Sequence, residues 1–397
     1  MLNPRLEQLT DFTFRRLARL LEPLEPAPGR RVIDLSIGSP MHPVPELLPS
    51  TLAAHGALWN RYPPANGTPE FRRAVAGWLT RRFGLPAAMV DPDLNVLPVA
   101  GTKEGLFQIA LAIMPESRAG RRPAVLMPNP FYNVYFGAAV MADAEPVLLP
   151  VAPETRHLPA LDRLPADLLA RTAAFYLCTP ANPQGAAAGL DYLERALALA
   201  REYGFLLIVD ECYSEIYTGA PPPGGLQAAL ALGGNLDRLL VFNSLSKRSS
   251  AAGLRSGFVA GDAAVLAAFL RLRSYAAAVQ SLPVLAAAAA LWQDEEHVRA
   301  NRLLYQEKHD LAERTLAGRY GHSRPDGGFF LWLAAGDGEA AARRLWTEAA
   351  IKVLPGAYLG GPDGAGRNPG SDYIRIALVQ DHASTRDALA ALVETLG

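Results

Sequence analysis

Short, uninterrupted apolar runs recur along the first two thirds of the chain and alternate with amphipathic stretches. The runs are Ala124–Met127, Val147–Pro150, Ala173–Cys178, Phe205–Val209, Leu239–Phe242 and Gly257–Ala260, with Asn95–Val99 ahead of them. A strand that is apolar at every position is buried on both faces, which predicts a mostly parallel sheet covered by helices. Phe71–Phe83, a stretch ending at Ile113, and Leu190–Tyr203 have the helical spacing to cover it. Thr68 caps the first of these helices and Pro69 fits its first position.

The pattern changes at both ends. Residues 3–21 read as a short helix, followed by the Pro/Gly segment Pro23–Gly29 and a strand Val32–Ile37 that Gly38-Ser39-Pro40 stops. From about Leu285 an alanine-rich helix leads to helices over Asp294–Tyr320 and Gly338–Ala350, with strands Phe329–Leu333, Lys352–Leu354 and Tyr373–Leu378. The expectation is an α/β fold: a large domain (46–284) with a mostly parallel central sheet, and a smaller α+β domain (285–397). Residues 1–45 form an arm and part of the small domain. Pro221-Pro222-Pro223-Gly224-Gly225 is expected to be a surface loop.

Composition narrows the partners more than the fold. The 397 residues are 50% hydrophobic and 19% charged with a net charge of -1, so no global field attracts nucleic acid or anionic membrane, and any anion site must be local. No apolar stretch is long enough to span a bilayer, and Met1 to Leu20 lacks a signal-peptide block. Cys178 and Cys212 each end an apolar run, which favours reduced core thiols in a cytoplasmic protein.

Ser244 to Gly257 concentrates the candidate chemistry. Lys247 follows Ser244 by three residues, and Arg255 comes eight later. An amine beside hydroxyls and an arginine suits an aldehyde cofactor that carries a phosphate: Lys247 joins the aldehyde, while Ser244, Ser246 and Arg255 hold the dianion. Gly101, Thr102 and Lys103 follow a strand and open a helix, where free backbone N–H groups form a second anion cradle. Pyridoxal 5'-phosphate also needs a carboxylate at its ring nitrogen, donors for its ring oxygen and an aromatic on its face. Asp210, then Tyr213 and Asn182, then Tyr132 meet these needs, and most of them lie just past strand ends, where such sheets collect functional groups. Arg375 is a lone charge in an apolar strand, either solvent-facing or paired with an acid, or the clamp for a substrate carboxylate. Gly38 is either a plain turn or a point of close backbone approach to substrate. No metal site is expected.

The order Asn-Pro-x-Gly, Asp-x-x-Tyr, Ser-x-Ser-Lys with arginine eight on, and a late Tyr-Ile-Arg resembles the class I/II aminotransferases of pyridoxal-phosphate fold type I. Within them the chain resembles the N-succinyldiaminopimelate aminotransferases of lysine and cell-wall precursor synthesis. The strings are Pro-Asn-Pro-Phe-Tyr (128–132), Asp-Glu-Cys-Tyr-Ser-Glu-Ile-Tyr (210–217) and Leu-Arg-Ser-Gly-Phe-Val-Ala-Gly-Asp (254–262), together with residues 302–308 and 373–379. Ser256 is a mark of that subgroup. The resemblance implies glutamate and 2-oxoglutarate as the second substrate pair, Asn182 and Arg375 on the substrate, and a homodimer in which Tyr62 reaches the neighbouring subunit's cofactor phosphate. It departs at Ser39, at Gln184, at Ser250-Ala251-Ala252 and at Tyr275-Ala276-Ala277. The far end of the substrate falls to Lys103, Arg248 or Ser39. Other aminotransferase specificities (aspartate, succinylornithine, aromatic), a carbon–sulfur β-lyase on the same cofactor and a ligand-sensing domain are the rival readings. The last needs a DNA-binding extension that residues 1–30 are too short to hold.

Overall fold

The computed structural model describes residues 2–9, 11–276 and 279–397; Ala277, within the last departure above, lies outside them. Seven strands form the main sheet: β2 (Val96–Val99), β3 (Ala124–Asn129), β4 (Glu145–Pro150), β5 (Thr172–Cys178), β6 (Leu206–Asp210), β7 (Leu239–Ser244) and β8 (Gly257–Gly261), after a two-residue β1 (Ile33–Asp34) that lies elsewhere. Their order is β2-β8-β7-β6-β5-β3-β4, with β8 alone antiparallel to its neighbours. Most observed strands run one or two residues beyond the apolar runs, because backbone pairing continues after the apolar residues stop.

Alternate residues of these strands feed two cores. Leu126, Phe175, Leu207, Val209 and Val241 pack with the helices Pro69–Phe83, Leu190–Tyr203 and Leu282–Gln293. Met127, Tyr176, Ile208, Leu240 and Phe242 pack with Thr102–Ile113, Asn133–Met141 and Ala263–Ala276. Both faces are buried, as continuous apolar strands require.

A third core belongs to the smaller body. There β9 (Phe330–Ala334), β12 (Tyr373–Ala377) and β11 (Leu354–Pro355) form an antiparallel sheet, and β1 pairs in parallel with β10 (Ile351–Lys352). The expected strand Val32–Ile37 shrinks to β1, since Val32 and Ile37 are each 45% exposed. The expected N-terminal helix is two pieces, a 3-10 turn Pro4–Gln8 and a helix Thr13–Leu21.

Two further expectations change. The alanine-rich helix Leu282–Gln293 buries Leu285, Leu291 and Trp292 against the large-sheet core, with Trp292 4.8 Å from Trp78. Its small side chains let it sit close to Pro69–Phe83, so we place the domain boundary after it, ahead of Glu296–Leu316, rather than at 284/285. The proline-glycine patch is no surface loop throughout. Pro222, Gly224 and Gly225 are buried, and the Gly225 N–H donates to Glu211 Oε1 at 2.7 Å.

Candidate active site

The carboxyl ends of β2, β3, β5, β6 and β7 converge on a cavity of about 290 Å³ that β12 and the segment after β1 close from the other side. β6 ends on Asp210, 4% exposed. Tyr135 Oη donates to its Oδ2 at 2.6 Å and the Cys212 N–H to its Oδ1 at 3.3 Å. Burial drives the Asp210 carboxyl up, and those hydrogen bonds together with the charge of Lys247 oppose the rise.

β7 delivers the lysine. Ser244 Oγ caps the single helical turn Leu245–Arg248 by accepting from the Ser246 N–H at 3.0 Å, and lies 2.8 Å from Ser246 Oγ. Lys247 Nζ donates to the Gly38 carbonyl at 2.6 Å. Burial lowers this amine to about 8, with Arg375 and Arg255 adding to the effect and Cys212 and Asp210 opposing it. A Cβ on Gly38 would fall 2.5 Å from the Phe330 ring, so only glycine lets this backbone reach the lysine.

Arg375 is 4% exposed, and its partners are neutral. Nη1 donates to Asn182 Oδ1 at 3.1 Å, Nη2 to the Ser36 carbonyl at 2.6 Å, and the guanidinium lies 4.2 Å over Phe330. The other buried arginines Arg72, Arg171, Arg248 and Arg273 each have a carboxylate: Asp93, Glu145, Glu295 and Glu104. Among the described residues Arg375 has none, and burial lowers it to about 10. A buried cation without a counter-ion, facing a cavity, is a site for an anionic ligand group.

Of the residues singled out in the sequence, Gly38, Thr102, Lys103, Tyr132, Asn182, Asp210, Tyr213, Lys247 and Arg375 line this cavity. Gly101, Ser244, Ser246 and Arg255 are not among the residues that line it. Arg255 donates to the Ala252 and Ala100 carbonyls at 2.9 and 3.3 Å, and a side chain on Gly101, at φ 80°, would run into its guanidinium. Tyr62 is fully exposed and outside the cavity of its own chain. Of the three candidates for the far end, Ser39 and Lys103 line the cavity, with Lys103 exposed at its mouth. Arg248 does not: it is fully buried behind the lysine.

Tyr135 escaped the sequence reading as a site residue. It lies one helical turn after Tyr132, and that spacing beside a strand end was the available signal. Phe12 and Phe14 of the arm also line the cavity.

An amine held part-neutral, a buried carboxylate and serine, arginine and helix-start donors form the set that pyridoxal 5'-phosphate requires, and Tyr213, edge-on to Phe329 and Phe330, adds a hydroxyl. Residues 30–392 match the family model of class I and II aminotransferases. The chain belongs to that family.

This aminotransferase is similar along its whole length to known proteins. It is 32% identical over 392 residues to the LL-diaminopimelate aminotransferase of Syntrophobacter fumaroxidans, covering 97% of this chain and 96% of the relative. An aminotransferase structure from Neisseria meningitidis superposes with TM-score 0.94 at 40% identity, covering 100% of both chains. A probable N-succinyldiaminopimelate aminotransferase from Thermus thermophilus gives 0.83 at 29% identity, covering 96% of this chain and 98% of that one. The aminotransferase is therefore a pyridoxal-phosphate-dependent enzyme of fold type I, with a mostly parallel central sheet and a small antiparallel one. Among its described residues no helix is long and apolar enough to cross a membrane.

Proposed function

We propose that the enzyme exchanges an amino group between glutamate and a diaminopimelate-type amino acid, as a homodimer with shared active sites. The observation that carries this reading is the buried charge of Arg375, unpaired by any described carboxylate, in the same cavity as Lys247. The N-succinylated substrate is the one the sequence resemblance implies. The free LL form is the second reading, favoured by the name of the Syntrophobacter relative.

The bound cofactor supplies an electron-accepting ring that makes an amino acid's α-proton removable. Asp210, fixed by Tyr135, would hold the proton on the ring nitrogen; Tyr213 and Asn182 would serve the ring oxygen, and Tyr132 the ring face. Gly101, Thr102, Lys103, Ser244, Ser246 and Arg255 would hold the phosphate, with the partner chain's Tyr62, whose full exposure in one chain supports a role across an interface. Arg375 orients the substrate by its α-carboxylate, with Asn182 and Gly38 beside it. Lys247 Nζ takes the α-proton and returns it at the other end of the transfer, a task that needs an amine able to give and accept a proton near neutrality. Lys103 and Ser39, at the mouth, suit a second carboxylate or amide farther along the substrate.

A substrate panel tests this: glutamate and 2-oxoglutarate with succinylated diaminopimelate, free LL-diaminopimelate, succinylornithine, aspartate and an aromatic amino acid. We expect the highest kcat/KM on a diaminopimelate form. Equal rates on the short amino acids with none on either diaminopimelate form overturn it, as does release of pyruvate and ammonia from a cysteine conjugate without amino transfer.

A further inference from the structure

Behind the lysine-bearing turn runs a line of polar groups that the proposed chemistry does not use. One helical turn leaves its last carbonyls without helical partners. Asn301 Nδ2 donates to two of them, Lys247 O at 3.1 Å and Arg248 O at 3.2 Å. With Nδ2 committed as donor, Asn301 Oδ1 is the acceptor that faces His42 Nδ1 at 2.8 Å, so this ring nitrogen carries the hydrogen. His42 Nε2 then accepts from Lys308 Nζ at 2.7 Å, whose other bond goes to the Leu378 carbonyl at 3.2 Å. Each link fixes the next.

The chain of bonds joins separate parts of the molecule. Asn301, Tyr305 and Lys308 share one face of the helix Glu296–Leu316, and the Tyr305 ring packs 4.3 Å from His42. His42 follows Gly38 in the segment after β1, and the Gly38 carbonyl accepts from Lys247 Nζ. One short stretch therefore grips Lys247 twice, its amine directly and its backbone through Asn301.

We infer that Asn301 is a positioning residue for Lys247, oriented by His42 and Lys308, and that this relay ties the amine's pose to the seating of the long small-domain helix and the arm. The inference rests on Lys247 being the reacting amine, so its test reads the amine itself and not turnover alone. In cofactor-free protein, Lys247 is trapped with a small aldehyde and cyanoborohydride, and its labelling is compared with that of Lys103 by peptide mass. In Asn301→Ala the turn loses the two side-chain hydrogen bonds on its carbonyls, and the amine moves from the buried setting that lowers it to a more hydrated one, where it is more basic. The Lys247 to Lys103 labelling ratio falls about threefold, as a modest rise in amine basicity gives near neutrality. In the loaded enzyme kcat falls about tenfold or more while the donor KM stays within about twofold, the pattern of a mispositioned group. His42→Phe keeps a ring against Tyr305 but donates nothing, and repeats the effect. His42→Asn, whose amide N–H reproduces the Nδ1 donor, recovers most of the ratio.

An unchanged labelling ratio in folded Asn301→Ala or His42→Phe overturns the inference whatever happens to activity. If Asn301→Ala does not fold, the His42 pair decides. A lowered ratio in a protein whose wild type transfers no amino group leaves the positioning role standing and removes the proposed function instead.

Discussion

Lys247 and Arg248 are successive residues of one helical turn that face opposite ways. Lys247 enters the cavity, and among the described residues its amine has one hydrogen-bond acceptor, the Gly38 carbonyl. Arg248 points back into the core, its guanidinium 5.5 Å from the Trp78 ring and 4.8 Å from that of Trp292. It donates to the Leu291 carbonyl at 2.7 Å, the Asp294 carbonyl at 3.1 Å and Glu295 Oε1 at 2.7 Å. Burial lowers the pKa of both groups, and for Arg248 the charge of Glu295 opposes it most. Burial by itself therefore does not mark a reactive group. The account of partners does: Arg248 is closed by a carboxylate and carbonyls, whereas among the described residues Lys247 and Arg375 have only neutral partners, with an open cavity before them.

Substitution on the two sides of the turn should separate chemistry from folding. Lys247→Ala should lower kcat by about ten-thousandfold, the upper range for losing a positioned acid–base group, with little change in Tm. Steady-state rates and a melting curve on the same sample check it, and turnover near the wild-type level would end the assignment. Arg248→Ala should do the reverse. Removing the guanidinium leaves the Leu291 and Asp294 carbonyls without their donor and a gap beside Trp78 and Trp292, for a loss of about 3 kcal/mol in denaturant unfolding. The kcat per folded molecule should stay within about threefold. If Arg248→Ala proved as stable as the wild type but inactive, the division of labour between the two faces would be wrong.

The same contrast explains what could be read without coordinates. Continuous apolar runs betrayed the sheet, because a strand buried on both faces leaves no polar position to confuse it. Asp210 and Lys247 were legible as polar residues immediately after such runs. Arg248 was misjudged because a cation beside a reactive lysine reads the same whether it turns forward or back. Its direction depends on Trp292 and Glu295, which lie far along the chain and arrive only through tertiary packing. Tyr135 was missed for a related reason: its hydroxyl reaches Asp210 from a helix on another strand's connection. The alanine-rich helix was assigned to the wrong body because composition reports how closely a helix packs and not what it packs against. Tyr62 is fully exposed in one chain, so its role comes from the resemblance.

The smallest of these effects concerns the amine in cofactor-free protein, where its protonation can be followed through the uptake of pyridoxal phosphate. Only the neutral amine attacks an aldehyde. Because burial lowers Lys247 from 10.5 to about 8, the neutral form accumulates as pH rises through 8, and below that it falls about tenfold per pH unit. The rate of cofactor uptake, read from the absorbance of the adduct, should therefore climb about fiftyfold between pH 6 and pH 8 and level off above pH 8.5. A lysine at its ordinary value would still be gaining at pH 10, so a rate that rises without a plateau contradicts the burial argument. Stability should follow the matching sign. Between about 8 and 10.5 the unfolded chain holds a proton on this amine that the folded chain does not, so the site favours folding more as pH rises across that window. Lys308 is also lowered to about 8 by burial and adds to the stability trend, but it does not line the cavity and its amine is bonded to His42. Lys103 also lines the cavity, so peptide mass identifies the adduct before the uptake rate is assigned to Lys247. The stability slope reports Lys247 and Lys308 up to about 9, above which the buried Cys178 and Cys212 thiols, raised by burial, oppose it. A plateau in uptake near 8 with no slope in stability between about 8 and 9 would show that the amine's setting differs between the open cavity and the fold as a whole.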